Sequence, residues 1–455
     1  MDYPVWEVAI GGGMLMGIVA IAHVVVAHFA IGGGLVLAVT ETLAVRRNDD
    51  GMRDLAKRSS KMLILVSTVF GAISGVGIWV VAGLISPATI SALIRNYVWG
   101  WAIEWTFFVI EIVAALIYFA TWDRISKRAH LALIWIYFVA AYLSLVVING
   151  IITFMLTPGD WLETRAFWDG FFNPTYWPSL ALRTGIAMMM ATAFMLFPAT
   201  RLAATVRARA VRFLGWWLAA GALVSYAGYR WWEAALPETA RGLFLGASPG
   251  LATLADTRQF LLWSLTAALA LGMALLLALP GRARPVTAVV ILLAGAAFFG
   301  GYERLREGVR KPFLIHDYMF SNGLRVDEIA AINETGLLAR SGWPARASAE
   351  DPLAVGRAIF RAQCASCHTI NGYQGIRELL PDDPDMIMGV LFLMHEQGTA
   401  YTDAESGSLV DKNELDYPYM PPFVGTEDEM MALADYLGTL TSVADGSATV
   451  AEGAR

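Results

Sequence analysis

Eight apolar runs, each long enough to cross about 30 Å of hydrocarbon at about 1.5 Å per residue, lie near residues 20–44, 61–86, 97–121, 130–156, 179–200, 213–235, 259–280 and 284–303. They leave the chain few folds, because in hydrocarbon every backbone N–H and C=O must be bonded within the protein. The expected fold class is therefore all-α, a polytopic membrane helix bundle of about eight transmembrane helices, and a wholly soluble enzyme is excluded. Composition agrees: 57% of the residues are hydrophobic and 16% charged, against about 45–50% and about 25% in soluble domains. Charge is sparse before about residue 300 and ordinary after about residue 345, so the two parts live in different solvents. The net charge is −6, with the basic residues in short clusters between apolar runs. No nucleic-acid partner is expected from such a distribution.

Those basic clusters set the orientation. Arg46, Arg47, Arg53, Lys57, Arg58 and Lys61, then Arg124, Lys127 and Arg128, then Arg201, Arg207, Arg209 and Arg212, then Arg282 and Arg284 occupy every second connection. Basic loops face inward, which turns both termini outward. The alternate loops carry Trp99, Trp101, Trp161, Trp168, Tyr176, Trp177, Trp231 and Trp232, read as an interfacial aromatic belt. The start, MDYPVWEVA, has no basic region before its apolar stretch, so the first helix is expected to act as an uncleaved anchor. Residues 7–19 exceed what that span needs and are expected along the outer surface.

After the last span comes the amphipathic ERLREGVRKPFLIHDYMFSNGLRVDE, then SGWPARASAEDP, then a more ordinary soluble composition. The domain reading is 1–325 for the membrane part, 326–349 for a linker, 350–443 for a small all-α domain and 444–455 for a disordered tail. Both cysteines of the chain stand in Cys364-Ala365-Ser366-Cys367-His368. Two cysteines three apart cannot form a disulfide framework. The spacing is that of covalent c-type haem attachment: two thioethers grip the porphyrin edge from one helical turn, and the next residue's imidazole falls under the iron. A redox dithiol with an incidental histidine is the weaker alternative. Gly356 and Phe360 precede the motif on an expected helix, and Asp428–Leu440, with Tyr436 and Leu437, forms a closing one. This domain resembles class I cytochrome c. By that likeness Met420, in Tyr417-Pro418-Tyr419-Met420-Pro421-Pro422, is the axial thioether, since prolines stiffen an extended segment able to hold sulfur against iron. Met386, Met388 and Met394 have core-like spacing, and His395 reads as an exposed histidine.

Ionisable residues inside a span are costly, so each is a functional candidate. The first span holds His23, His28 and Glu41, the third Glu104 and Glu111, the fifth Arg183. Counting back about 20 residues from each basic cluster puts His23, His28, Glu104 and Arg183 in the outer half, the side of the c haem. Glu104 and Glu111 are seven apart; they share one helix face about 10 Å apart, a spacing suited to a proton path. His23 and His28 are five apart and diverge by about 140°, so they cannot ligate one iron from the same side. Either they serve different haems or one is a satisfied core histidine.

Over roughly residues 15–315 the membrane part resembles subunit I of the cytochrome bd quinol oxidases. The resemblance rests on Ala22-His23 followed by Gly32, Gly33 and Glu41, on Ala102-Ile103-Glu104 and Glu111, and on Trp122-Asp123-Arg124, Asn149-Gly150 and Arg310-Lys311-Pro312-Phe313. It implies that His23 is the proximal ligand of the oxygen-reactive haem, that Glu104 is the acid across its distal face, and that Glu111 is the next carboxylate of the haem and proton-path region. It also implies haem b or related haems in the membrane, a bacterial inner membrane with both termini and the c domain on the periplasmic side, and a second bd-like membrane subunit. Periplasmic c-type cytochromes or other redox subunits are further expected partners, with quinol and O2 as candidate substrates. Three departures stand beside this. Arg183 occupies the position of the low-spin haem's histidine, the glutamate of the second high-spin haem aligns with Gly300 with Glu303 one turn on, and the quinol-binding loop is reduced to Glu233–Thr257. His316 is either a replacement ligand or an exposed histidine. The expected function is an electron-transfer haemoprotein in which the outer c haem exchanges electrons with intramembrane haem, as a bd-like oxygen-reducing oxidase subunit. The alternative is an electron-transfer module between the quinone pool and periplasmic cytochromes without oxygen reduction.

Overall fold

The computed structural model describes residues 6–237, 240–241, 252–340, 351–402 and 417–441. Among them are eight helices long and apolar enough to cross a membrane. These are α1 (Gly12–Arg47), α2 (Asp50–Ile85), α3 (Pro87–Ala120), α4 (Lys127–Phe154), α5 (Tyr176–Ala199), α6 (Ala204–Ala235), α7 (Leu254–Ala278) and α8 (Pro285–Arg310), matching the eight apolar runs. Tight polar turns begin two of them. The Asp49 side chain accepts from Met52 N–H at the start of α2, and Ser126 accepts from Ala129 N–H at the start of α4. Each cap satisfies a donor that the helix itself leaves open.

Two sequence expectations change here. The apolar stretch Met14–Ile21 continues α1 without a break from Gly12, so residues 12–19 belong to the first spanning helix rather than to the surface. The aromatic belt is also mixed. Trp99, Trp168, Trp177 and Trp231 are exposed, whereas Trp161, Tyr176 and Trp232 are buried between helices, because helical periodicity turns neighbouring aromatics to opposite faces.

The described residues divide into two compact units. One comprises the described parts of 19–79 and 93–310, the other those of 1–18, 80–92 and 311–455. In the first unit α5 is the central helix: 72% of its apolar window is buried, against none of α2's. Small residues allow that closeness. A Cβ at Gly32 of α1 would collide with the Ala187 carbonyl of α5, a packing mode that membrane helices favour because it brings backbones together. Asn149 of α4 donates to the Tyr176 carbonyl at 2.9 Å, tying α4 to the start of α5.

In the second unit β1 (Phe313–Ile315) and β2 (Met319–Phe320) form an antiparallel pair, followed by α9 (Ile329–Thr335). Then come α10 (Pro352–Gln363), α11 (Pro384–Thr402) and α12 (Glu427–Thr441). The boundary falls after Arg310 rather than after 325, and residues 326–340 are folded rather than a linker. Ile329, Ile332 and Leu337 are buried with Phe313, Phe320, Tyr401 and Val424. Glu429 of α12 accepts from Leu337 and Leu338 N–H at 2.8 and 2.9 Å. The apolar spacing of that short segment supplies its burial, which the polar run around it masks. The expected linker residues 341–349 and the tail 444–455 lie outside the described residues.

Candidate haem sites

The attachment motif is an extension of α10. Asp351 caps that helix by accepting from Leu353 N–H, and Cys364 N–H donates to the Phe360 carbonyl at 2.8 Å while His368 N–H donates to the Cys364 carbonyl at 2.9 Å. The pentapeptide therefore closes one more turn and gathers both thiols and the imidazole. Burial, and then the neighbouring Cys367, push the Cys364 thiol up to about 12. Such a site disfavours a thiolate, whereas a thioether sulfur carries no charge. His368 Nδ1–H donates to the Gln374 carbonyl at 3.0 Å, with Gln374 in the left-handed region at φ 51. That bond leaves Nε2 as the lone-pair nitrogen, the tautomer an iron ligand requires. Burial lowers the His368 pKa, which also favours neutral imidazole. A cavity of about 340 Å³ opens beside it, lined by Phe360, Ala365, His368 and Ile370 and, from the N-terminal segment, by Val8 and Gly12. These residues fit a covalent haem c.

Behind the motif α10 crosses α12 so closely that a Cβ on Gly356 would strike the Ala432 carbonyl oxygen. The Phe360 and Tyr436 rings sit 5.9 Å apart, as the likeness to class I cytochromes implies. Two glutamines, not singled out in the sequence, hold the segment that carries Met420. Gln363, immediately before Cys364, donates to the Val424 carbonyl at 2.7 Å and accepts from Val424 N–H at 3.0 Å. Gln397 donates to the Tyr417 and Met420 carbonyls at 3.3 and 3.2 Å and accepts from Tyr417 N–H at 3.2 Å. A glutamine placed one residue before a ligand motif was the available signal. Met388 and Met394 pack against the apolar core, while Met386 is exposed. His395 is half-buried rather than exposed, its Nδ1–H donating to the Phe423 carbonyl at 3.3 Å. His316 is buried, its Nδ1 2.9 Å from Asp317.

In the membrane unit His23 Nδ1 lies 3.1 Å from Ser74 Oγ. The Ser74 hydroxyl donates to the Phe70 carbonyl at 2.6 Å, so its oxygen is placed to accept from His23 Nδ1–H, the tautomer that leaves Nε2 as the lone-pair nitrogen. His28 is buried, and its Nδ1–H donates to the Val24 carbonyl at 2.6 Å. Its Nε2 has no hydrogen-bond partner. Both histidines thus present Nε2 as a base, the state in which imidazole binds iron. These residues fit haem of the b kind.

The two acids form part of a regular arrangement. Glu104 accepts from Ser144 Oγ at 2.8 Å, Glu111 lies against Tyr137, and Tyr118 stacks on His130 with centroids 4.3 Å apart. On α3 the positions 104, 111 and 118 advance by seven, and on α4 their partners 144, 137 and 130 retreat by seven. Two antiparallel helices therefore share a three-rung polar ladder, about 10 Å per rung. At the last rung Glu41 accepts from Tyr118 OH at 2.6 Å and meets His130 Nδ1 at 2.6 Å, while His130 Nε2 faces the Tyr118 carbonyl at 3.1 Å. Both ring nitrogens of His130 are therefore engaged, one by a carboxylate and one by a backbone carbonyl. His130 was missed in the sequence because it follows a basic inner loop and reads as part of it. In that loop Asp123 accepts from Arg53 at 2.6 Å and from Lys57 at 2.7 Å, which pull its carboxyl down to about 2.

Arg183 is buried and ion-paired at 2.6 Å to Glu303, which also holds Arg306 at 2.9 Å. Glu303 is thus engaged by two guanidinium groups. The shortened connection after α6 is clipped at its ends by Glu233 and Arg258 at 2.8 Å.

Residues 13–228 match the family model of the cytochrome bd terminal oxidase subunit I. Residues 351–437 match that of the cbb3-type cytochrome c oxidase, subunit III. The structure is similar to that of the bd oxidase from Geobacillus thermodenitrificans, with a TM-score of 0.57 and 15% sequence identity over 66% of this chain and 87% of the other. No curated protein matches the chain. It joins a domain of cytochrome bd subunit I type to a cytochrome c domain, with covalent haem c in the second and haem b in the first. It is a membrane-embedded haemoprotein of respiratory type.

Proposed function

We propose that this chain is an oxygen-reducing, bd-like oxidase subunit that receives electrons through the c haem held by Cys364, Cys367, His368 and Met420. His23 ligates the membrane haem where oxygen binds. Haem supplies one-electron chemistry and, where one axial position stays open, a site for oxygen. The observation that carries this reading is the ladder of α3 and α4, which starts at the charged loop of Asp123 and climbs to Glu104. Oxygen reduction consumes protons, and a file of proton-bearing groups rising from the inner connection is a route that can supply them. Glu41 and His130 exchange a shared proton at the inner end, Tyr137 and Glu111 pass it by hydroxyl and carboxyl, and Glu104, steadied by Ser144, holds it at the outer rung. One observation favours the second reading, an electron-transfer module between quinone pool and periplasmic cytochromes: Arg183 and Glu303 neutralise each other where the bd likeness expects haem ligands.

The membrane is the bacterial inner membrane, with both termini and the c domain on the periplasmic side, as the basic connections support. The partners are a second bd-like membrane subunit and periplasmic c-type cytochromes or other redox subunits. Carbon monoxide decides between the readings. The reduced full-length protein is expected to give a CO difference spectrum from a membrane haem. His23→Ala should abolish it while leaving the c haem spectrum intact, and Glu104→Gln should keep the haem but slow turnover, since an amide cannot relay the proton. A reduced wild type without any CO-sensitive haem would leave the electron-transfer module as the function.

A further inference from the structure

We infer that residues 6–12, at and before the start of α1, are part of the haem c site: they form a strap that walls the His368 side of the haem cavity and keeps water from it. The inference concerns the c haem alone and holds whether or not the chain reduces oxygen. The segment is fixed at both ends. Trp6 N–H donates to the Leu84 carbonyl at 2.9 Å, near the end of α2, and a Cβ on Gly12 would lie 3.2 Å from the Ile85 Cβ. Between these points Gly11 N–H donates to the Val8 carbonyl at 2.8 Å, closing a turn in which Gly11 takes φ 79, the left-handed region that glycine enters without strain. The turn lays the strap's backbone on the loop that follows the attachment motif. A Cβ on Gly372 would strike the Ala9 carbonyl oxygen, and one on Gly11 would lie 3.2 Å from the Tyr373 ring. Glu7 pairs with Arg361 of α10, one turn before Cys364.

The strap belongs to the site because both sides of this contact line one cavity. Val8, Ala9 and Gly12 line it from the strap, and Phe360, His368 and Ile370 from the c domain. The strap's share is apolar, and the one carboxylate it brings, Glu7, is held by Arg361. Ferric haem carries one more positive charge than ferrous haem, so excluding water from its surroundings favours the ferrous state; solvent access is one of the levers by which a protein sets a haem potential. The loop under the strap keeps its own shape. Thr369 Oγ1 donates to the Tyr373 carbonyl at 3.0 Å and accepts from Gly372 N–H at 2.8 Å, and Ile376 N–H donates to the Thr369 carbonyl at 2.8 Å. The Gln374 carbonyl therefore stays on His368 when the strap is displaced, and only the cover is lost. The match to a cytochrome c domain begins at residue 351, so this wall of the site is one that the likeness to cytochromes does not supply.

The test is a redox titration of the detergent-purified full-length protein, read at the c band. Gly372→Val and Gly11→Val attack the contact from opposite sides, the first by bulk against the Ala9 carbonyl, the second by removing the glycine that the turn requires. Each is expected to weaken the c haem's preference for ferrous iron about tenfold, a fall of about 59 mV for a one-electron couple. The covalent haem, the thioether charge-transfer band and the b haem midpoint should stay as in the wild type. The retained band separates loss of cover from loss of Met420. An unmoved c midpoint in either variant overturns the inference, and so does a fall that comes only with loss of the band. Should the variants fail to accumulate, hydrogen exchange of the wild type decides: the Trp6 and Gly11 amides are expected to be protected, and exchange at the rate of a free peptide refutes the strap.

Discussion

Replacing Gln397 by Leu keeps the side-chain volume close to constant but deletes the three hydrogen bonds that hold the Tyr417–Met420 segment. Gln397 is 7% exposed, so water cannot readily take over. A neutral hydrogen bond contributes about 0.5–1.5 kcal/mol net, and all three here are 3.2–3.3 Å long, toward the weak end of the geometric range. The closed, sulfur-ligated segment should lose about 2 kcal/mol relative to an opened one. At about 1.36 kcal/mol per pH unit, the alkaline midpoint at which another group displaces the thioether should fall by about 1.5 units. The assay is a pH titration of the ferric protein on the thioether-to-iron charge-transfer band, with Met420→Ala as reference. That variant should keep its covalent haem and show no such band at any pH. An unchanged midpoint in Gln397→Leu, or a surviving band in Met420→Ala, would refute the assignment of Met420 and of the glutamine that steadies it.

Reporter fusions after Arg209 and after Gly342 should lie on opposite sides of the membrane; the same side for both contradicts the eight-span topology. Gly356→Val should push α10 from α12, since even a Cβ there meets the Ala432 carbonyl. Overpacking costs about 1–3 kcal/mol, which lowers the midpoint of a domain this size by roughly 10 °C, read as thermal loss of the same charge-transfer band. An undisturbed midpoint would show that the crossing tolerates bulk.

The spans and the haem-attachment pentapeptide were legible in the sequence because each rests on local information: length of apolar run, alternation of basic loops, spacing of two cysteines. Glu104 and Glu111 were legible as a pair for the same reason, being one heptad apart on one helix. Their partners were not, since Ser144, Tyr137 and His130 become neighbours only once α4 packs antiparallel to α3. Arg183 stood out as a buried cation, yet its ion pair with Glu303, 120 positions away, is a property of packing. Residues 326–340 read as linker because their apolar positions are few, and only the Phe313 and Tyr401 core against which they lie makes them a folded element. The start of α1 was misplaced because hydropathy measures how much helix a membrane needs, not how much helix the chain makes.

Under the proposed function the c haem is the electron port of the membrane haem. Stopped-flow reduction of the full-length protein by a reduced soluble c-type cytochrome, monitored at both the c and b bands, tests it most directly. In the wild type the c haem should reduce first and a membrane b haem should follow from it, and in Cys364→Ala plus Cys367→Ala the b haem should stay oxidised on that timescale. A b haem that reduces at the wild-type rate without the covalent haem would contradict the claim.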